Sequence, residues 1–433
     1  MRRLLLELRR RTQTRVLRSV RGSRLFPRTV VDRLGDDDRL GGASTDAAVM
    51  VYFPGAIDTL YQIDPWLPTF EALHAALRVV IVCQDSRVAR HLRDHSPIPV
   101  LTVARYGTLD GVLARSDVKL ALYVSHVARN FEALRFSSLL HAYIGHGDSD
   151  KGVSASNQLK AYDVVLAPGQ AAVDRAARRL MRFDADARCI VVGQPLMLAA
   201  PRTTAPSSAD VGATGGGAAD PRTTVLYAPT WEGAQPSVAY SSVLSHGEAL
   251  VDALLADDRF RVVYRPHPLI GVSSAAYAGA DAGITARIAH AAAEDPAAGH
   301  RVVLPDDESL DASFERAGLL ICDVSAVATA WLPSLKPLVV TEPAGEQAVS
   351  ADSGMLGAVT RLSAADVPRV AALLRAELDS DAGLDVRRDL VAYYLSPYWP
   401  DRVTERFVSV CAALTAERDE LRGRLLAAGA TGV

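Results

Sequence analysis

The chain has 433 residues, 49% of them hydrophobic, and a formal net charge of -3. That length buries a large core and suits two or three domains, which excludes a small stapled module. The near-neutral balance gives no reason to expect nucleic acid as a partner. Four cysteines, Cys83, Cys189, Cys322 and Cys411, lie far apart in apolar runs, and no CxxC pair exists. They fit buried thiols in a reducing compartment and argue against a disulfide frame or a cysteine zinc site.

The opening MRRLLLELRRRTQTRVLRSVRGSRLFPR carries ten arginines against one glutamate. Leu4, Leu5, Leu8, Val16, Leu17 and Val20 interleave with them, so a helix over residues 1-28 can lay leucines on a bilayer interface and arginines on anionic headgroups. A helix packed on its own domain explains the same residues. The apolar run is short and broken by arginines, unlike a signal peptide, and no apolar run elsewhere reaches the roughly eighteen residues of a membrane span. A cytoplasmic protein, peripheral at the inner face of the plasma membrane if the arm binds lipid, is the expectation.

After this arm, taken as residues 1-45, short apolar runs alternate with helical stretches, the pattern of parallel sheets covered by helices. AAVMVYF, VVIVCQ, IPVLTV, LALYVS, LLHAYIGHG, YDVVLAPG and CIVVGQP read as strands or strand ends of a first domain, 46-200. Residues 201-224 lack apolar period and are rich in Gly, Ala, Ser, Thr and Pro, which predicts a flexible linker. TVLYAPTW, FRVVYRPHP, HRVVLPD, GLLICDVS and KPLVVTEP then predict strands of a second domain, 225-398. Residues 399-433 have helical spacing with charged i,i+4 neighbours and predict one or two closing helices. The fold class expected is α/β, two doubly wound domains.

Ligands of open α/β sheets bind outside the carboxyl ends of the strands, so polar residues just after each run carry the functional expectation. These are His146, Thr230, Arg265, His267, Asp323, Ser325 and Glu342. In GLLICDVSAVATAWLP a strand is followed by a turn at Asp323 to Ala326 and a helix, whose free N–H groups and the Ser325 hydroxyl suit a phosphate; Asp and Ser are equally the residues of an ordinary helix cap. Arg265 and His267, on a loop stiffened by Pro266 and Pro268, pair a cation with an imidazole. In IGHGDSDKG, His146 stands between two glycines and is followed by Asp148, Asp150 and Lys151, which a solvated turn also explains.

GHG at 145-147, KAYDVVLAPG at 160-169, VVGQP at 191-195, VLYAPTWEG at 225-233, YRPHP at 264-268 and AGLLICDVSAVATAWLPSLKPLVV at 317-340 stand in an order that resembles the CDP-glycerol glycerophosphotransferases, the teichoic acid polymerase and primase family. PDRVTERF near 400 resembles that family's terminal helix. The resemblance implies a GT-B architecture, two Rossmann-like domains facing across a cleft, with an acceptor domain first and a nucleotide donor domain second. It implies that His146 and His267 matter for transfer. An imidazole of ordinary pKa can act as a base near neutral pH, which suits His146, and the flanking Gly147 leaves room for two substrates to approach. Arg265 and His267 would then steady the pyrophosphate and Ser325 with the turn amides the phosphates; Thr230 and Glu342 would meet nucleotide or ribose.

Two departures from the family pattern stand out. The usual HG-Thr-Pro is His146-Gly147-Asp148-Ser149, and the usual Asp-Tyr-Ser-Ser is Asp323-Val324-Ser325-Ala326, which lacks one phosphate-binding hydroxyl. Asp148 places negative charge near phosphates unless Lys151 or a divalent cation offsets it; alternatively it orients His146. No cofactor or resident metal is otherwise expected. The favoured function is transfer of glycerol phosphate, or a related polyol phosphate, from a CDP-activated donor to a membrane-linked cell-wall or surface polymer. The alternatives are a GT-B glycosyltransferase using a nucleotide sugar, then an epimerase of that form, or a scaffold that binds nucleotide without turnover.

Overall fold

A computed structural model describes residues 32, 35-193, 222-233, 239-304, 307-343 and 354-429. The expected helix over residues 1-28, and most of the linker, fall outside them.

Seven parallel strands form the first sheet: β1 (Val49–Phe53), β2 (Val79–Cys83), β3 (Val100–Thr102), β4 (Leu120–Tyr123), β5 (Leu140–Tyr143), β6 (Val164–Ala167) and β7 (Cys189–Val191), in the order β3-β2-β1-β4-β5-β6-β7. Each lies in a run the apolar pattern marked. Every residue of β1 and β2 is buried, as continuous runs with helices on both faces require.

The second sheet has six strands: β8 (Thr223–Ala228), β9 (Phe260–Tyr264), β10 (Arg301–Val302), β11 (Leu319–Cys322), β12 (Leu338–Thr341) and β13 (Thr360–Leu362), ordered β10-β9-β8-β11-β12-β13. Strand β8 begins at Thr223, so the last residues assigned to the linker, Thr223 and Thr224, are strand instead: they pair in register with Phe260 and Arg261. Strand β13 was not anticipated, because Thr360-Arg361-Leu362 is a short edge strand with one fully buried side chain and shows no apolar run.

Side chains alternate across this sheet. Leu226 and Ala228 of β8, Leu320 and Cys322 of β11, and Leu338 and Val340 of β12 build one core; Val225, Tyr227, Leu319, Ile321 and Val339 build the other. Both sheets reverse strand order beside their first strand, the second between β8 and β11. At such a switch point the connections leave in opposite directions and open a crevice at the carboxyl ends.

The chain divides into two compact units: residues up to Ala142 with those from Cys411 onward, and residues Tyr143–Val410. The closing segment holds one long helix, Val403–Ala427, preceded by a separate helix Leu384–Leu395. Cys83, Cys322 and Cys411 are buried free thiols and Cys189 is half-buried. Among the described residues no helix is long and apolar enough to cross a membrane.

Candidate functional site

All the polar residues singled out from the sequence lie in the second unit. Strand β8 ends at Ala228 and delivers Thr230 to the switch point; β11 ends at Cys322 and delivers Asp323, Val324 and Ser325. Asp323 is fully buried. Its Oδ2 accepts from the Thr230 backbone N–H at 2.6 Å, and its Oδ1 accepts from the Ser242 N–H at 3.2 Å and the Thr341 hydroxyl at 2.6 Å. Burial pushes its carboxyl above the usual range, against the pull of these bonds and of Lys151. Asp323, expected to meet substrate, is therefore spent on clamping the ends of β8, β11 and β12 together.

Ser325 stands at the N-cap of the helix Ala326–Trp331 but makes no capping hydrogen bond. Its Oγ is buried without a hydrogen-bond partner, so the ordinary-cap explanation fails. The glycine loop reaches this same turn: a Cβ placed on Gly147 would lie 4.0 Å from the Ala326 Cβ. Gly145 has φ of 69°, a left-handed conformation that a glycine adopts without strain, and His146 beside it is exposed. Lys151, five residues on, donates its Nζ to the Thr230 Oγ1 at 2.9 Å and lies 5.8 Å above the Tyr240 ring. Burial lowers its pKa while the Asp323 charge raises it. The loop of β5 and the turns after β8 and β11 thus meet, and the Thr230, Lys151, Asp323 set is a single hydrogen-bonded group.

His267 joins it from the turn after β9. Its Nδ1 accepts the Leu269 N–H at 3.1 Å, which places the ring proton of the neutral form on Nε2. Burial first, then the Lys151 charge, push its pKa down to about 4, with Glu232 opposing. The imidazole is held neutral, a hydrogen-bond donor at Nε2. Trp231 stacks on it at 6.4 Å between centroids, and the following Glu232 braces the same turn by accepting from the Gly271 and Ser273 N–H groups at 3.0 and 2.9 Å. Trp231 was missed because an aromatic after a strand reads as core; here it is half-exposed.

Arg265 is not brought to this group as a free cation. Its Nη1 donates to the Glu308 carbonyl at 2.8 Å and to the Ser313 hydroxyl at 3.2 Å, and the residue is buried. Glu342, past the end of β12, is half-exposed and pairs with Arg361 at 3.5 Å.

The acidic pair is no solvated turn. Asp148 and Asp150 side chains are 10% and 7% exposed, and one guanidinium takes both: Arg175 Nη1 donates to Asp150 Oδ1 at 2.9 Å and Nη2 to Asp148 Oδ1. Asp150 Oδ2 accepts from the Tyr394 hydroxyl and the Met355 N–H. Asp148 Oδ2 has no hydrogen-bond partner, so Asp148 does not orient His146 through it. The charge near the glycine loop is offset by Arg175, not by Lys151, and no group of ligand-type side chains among the described residues is arranged for a metal ion. The sequence did signal Arg175: it is a charge on the apolar face of the helix Gln170–Arg179, among Ala171, Val173 and Ala176.

No protein-family model and no curated protein matches the sequence. Among solved structures, one described as a UDP-N-acetylglucosamine 2-epimerase from Listeria monocytogenes superposes with a TM-score of 0.55 at 13% identity, covering 87% of this chain and 98% of its own. A glycosyltransferase from Rickettsia africae gives 0.53 at 10% identity, covering 86% and 99%. A variant of the wall teichoic acid polymerase TagF gives 0.50 at 11% identity, covering 89% and 92%. At these identities the likeness speaks for the fold alone, and with the two sheets of seven and six parallel strands it shows that this chain has the GT-B fold.

Proposed function

We propose that the chain transfers glycerol phosphate, or a related polyol phosphate, from a CDP-activated donor to a membrane-linked surface polymer. One observation carries this reading: Lys151, the neutral His267, the unpartnered Ser325 hydroxyl and the exposed His146 loop belong to segments gathered at the switch point of the second sheet. A lysine charge, a neutral imidazole N–H and a free hydroxyl are complementary to a diphosphate rather than to an uncharged ligand. The order of motifs supports the CDP-polyol class within that chemistry.

In the reaction an acceptor hydroxyl attacks the polyol-bearing phosphorus while its proton passes to His146. A new acceptor O–P bond forms, the phosphoanhydride P–O bond breaks, and CMP departs with the bonding electron pair. Lys151, the His267 Nε2–H and the Ser325 hydroxyl bind the charge that gathers on the phosphoryl oxygens. Arg265 acts here by bracing the turn of His267 through Glu308 and Ser313. Residues 1-28 would bring the enzyme to its lipid-linked acceptor.

The test is nucleotide release by the purified protein given CDP-glycerol and a lipid-linked acceptor, with UDP- and GDP-sugars as controls. Acceptor-dependent CMP, lost in His146→Ala, is the expected result. Release of UDP or GDP instead would replace this reading by sugar transfer on the same fold, and nucleotide binding without any turnover would make the chain a scaffold.

A further inference from the structure

The segment between His146 and Lys151 is held chiefly by its two acidic side chains, with one further hydroxyl contact from Ser149 to Ser154 at 3.1 Å. Asp148 and Asp150 both turn inward to Arg175 while Lys151, the next residue, turns to Thr230. Arg175 is 5% exposed at its side chain, too deep to touch a substrate. Its planar fork is what allows one side chain to grip two carboxylates two residues apart. The grip is then fastened to distant chain, since Asp150 Oδ2 also receives the Tyr394 hydroxyl and the Met355 N–H. Tyr240 closes the far end of the loop, its hydroxyl accepting the Gly152 N–H at 3.3 Å beneath the Lys151 ammonium.

We propose that Arg175 is a positioning residue: through Asp148 and Asp150 it sets the register of the Gly145 to Lys151 loop, so that His146 and Lys151 are held at the switch point. The functional half of this proposal rests on the transfer reading above; the structural half does not. The family pattern has uncharged residues at 148 and 149, so Asp148, one arm of this clamp, is a departure from that pattern. Two carboxylates share one guanidinium, and the Arg175 Nε and Asp148 Oδ2 atoms are buried without further hydrogen bonds. A clamp with so little redundancy depends on the fork geometry, which lysine cannot reproduce.

The experiment uses the full chain and compares Arg175→Lys with the intact protein by amide hydrogen exchange and by steady-state transfer from CDP-glycerol. Exchange across residues 145-152 should rise at least tenfold while strands β8 and β11 keep their protection, and kcat should fall tenfold or more with the donor KM within about threefold. A merely structural Arg175 would instead lower the melting temperature and loosen the whole second unit together with the loop. Unchanged loop exchange would overturn the proposal, and so would loosening of β8 and β11 to the same degree. Should Arg175→Lys fail to fold, Asp148→Asn keeps the Arg175–Asp150 pair and must show the same loop-specific rise, or the proposal is lost. If the intact protein releases no CMP, the transfer reading falls, while the exchange data still decide whether Arg175 sets the loop.

Discussion

Replacing Asp323 by asparagine tests whether the switch point is built as described. The carboxylate accepts three hydrogen bonds, from the Thr230 N–H, the Ser242 N–H and the Thr341 hydroxyl. An amide supplies one acceptor oxygen, so in either flip its NH2 faces a backbone N–H. One charge-assisted bond is lost, about 1.5–3 kcal/mol, and one buried donor is stranded, about 1–3 kcal/mol. Burial already disfavours the charged carboxylate, and relief of that cost offsets part of the loss. A net destabilisation of about 2–4 kcal/mol is expected, a large share of the roughly 5–15 kcal/mol typical of a folded domain. Urea denaturation near neutral pH, followed by far-UV circular dichroism, measures it as a lower midpoint at unchanged slope. Thr341→Val strands no backbone donor and loses only its own bond to the carboxylate, so it should cost about 1.5 kcal/mol, less than Asp323→Asn. A change under about 0.5 kcal/mol for Asp323→Asn would refute the reasoning, because it would mean that a neutral side chain serves the three donors equally well.

His267 should titrate near pH 4 in nuclear magnetic resonance spectra, as the Nε2–H tautomer, and Lys151→Met should raise that value. The native state resists a proton that the unfolded chain takes up near 6.5, so the stability gained from a neutral His267 is complete above about 6.5 and is lost as the pH falls toward 4. His146→Ala should reduce transfer about 10²–10⁴-fold with the melting temperature unchanged, since the side chain is exposed; equal loss of stability would remove it from the chemistry. Ser325→Ala should not destabilise the fold, because the hydroxyl is buried and makes no bond there and its removal relieves an unpaired polar group, yet it should weaken CDP binding measured by calorimetry; unchanged affinity would take Ser325 out of the site.

Local sequence determined the two sheets. Buried parallel strands are covered on both faces, so twelve of them appear as apolar runs, and the residues just beyond those runs include the whole Thr230, Lys151, Asp323 and His267 group. Strand β13 escaped because an edge strand buries little, and the boundary at Thr223 escaped because threonines pair in a ladder without an apolar signal. What each polar side chain does was decided only by tertiary structure. Asp323 and Ser325 are two residues apart and share a cap-like motif, but one is consumed by three donors and the other is left unpaired. Arg265 has its charge turned to a carbonyl and a hydroxyl contributed from more than forty residues away. Asp148 and Asp150, which nearby sequence would leave in solvent, are buried by Arg175 on one helix and Tyr394 on another, 25 and 244 residues from Asp150. A charge is buried only where partners repay its lost hydration, and those partners come together in space rather than in sequence.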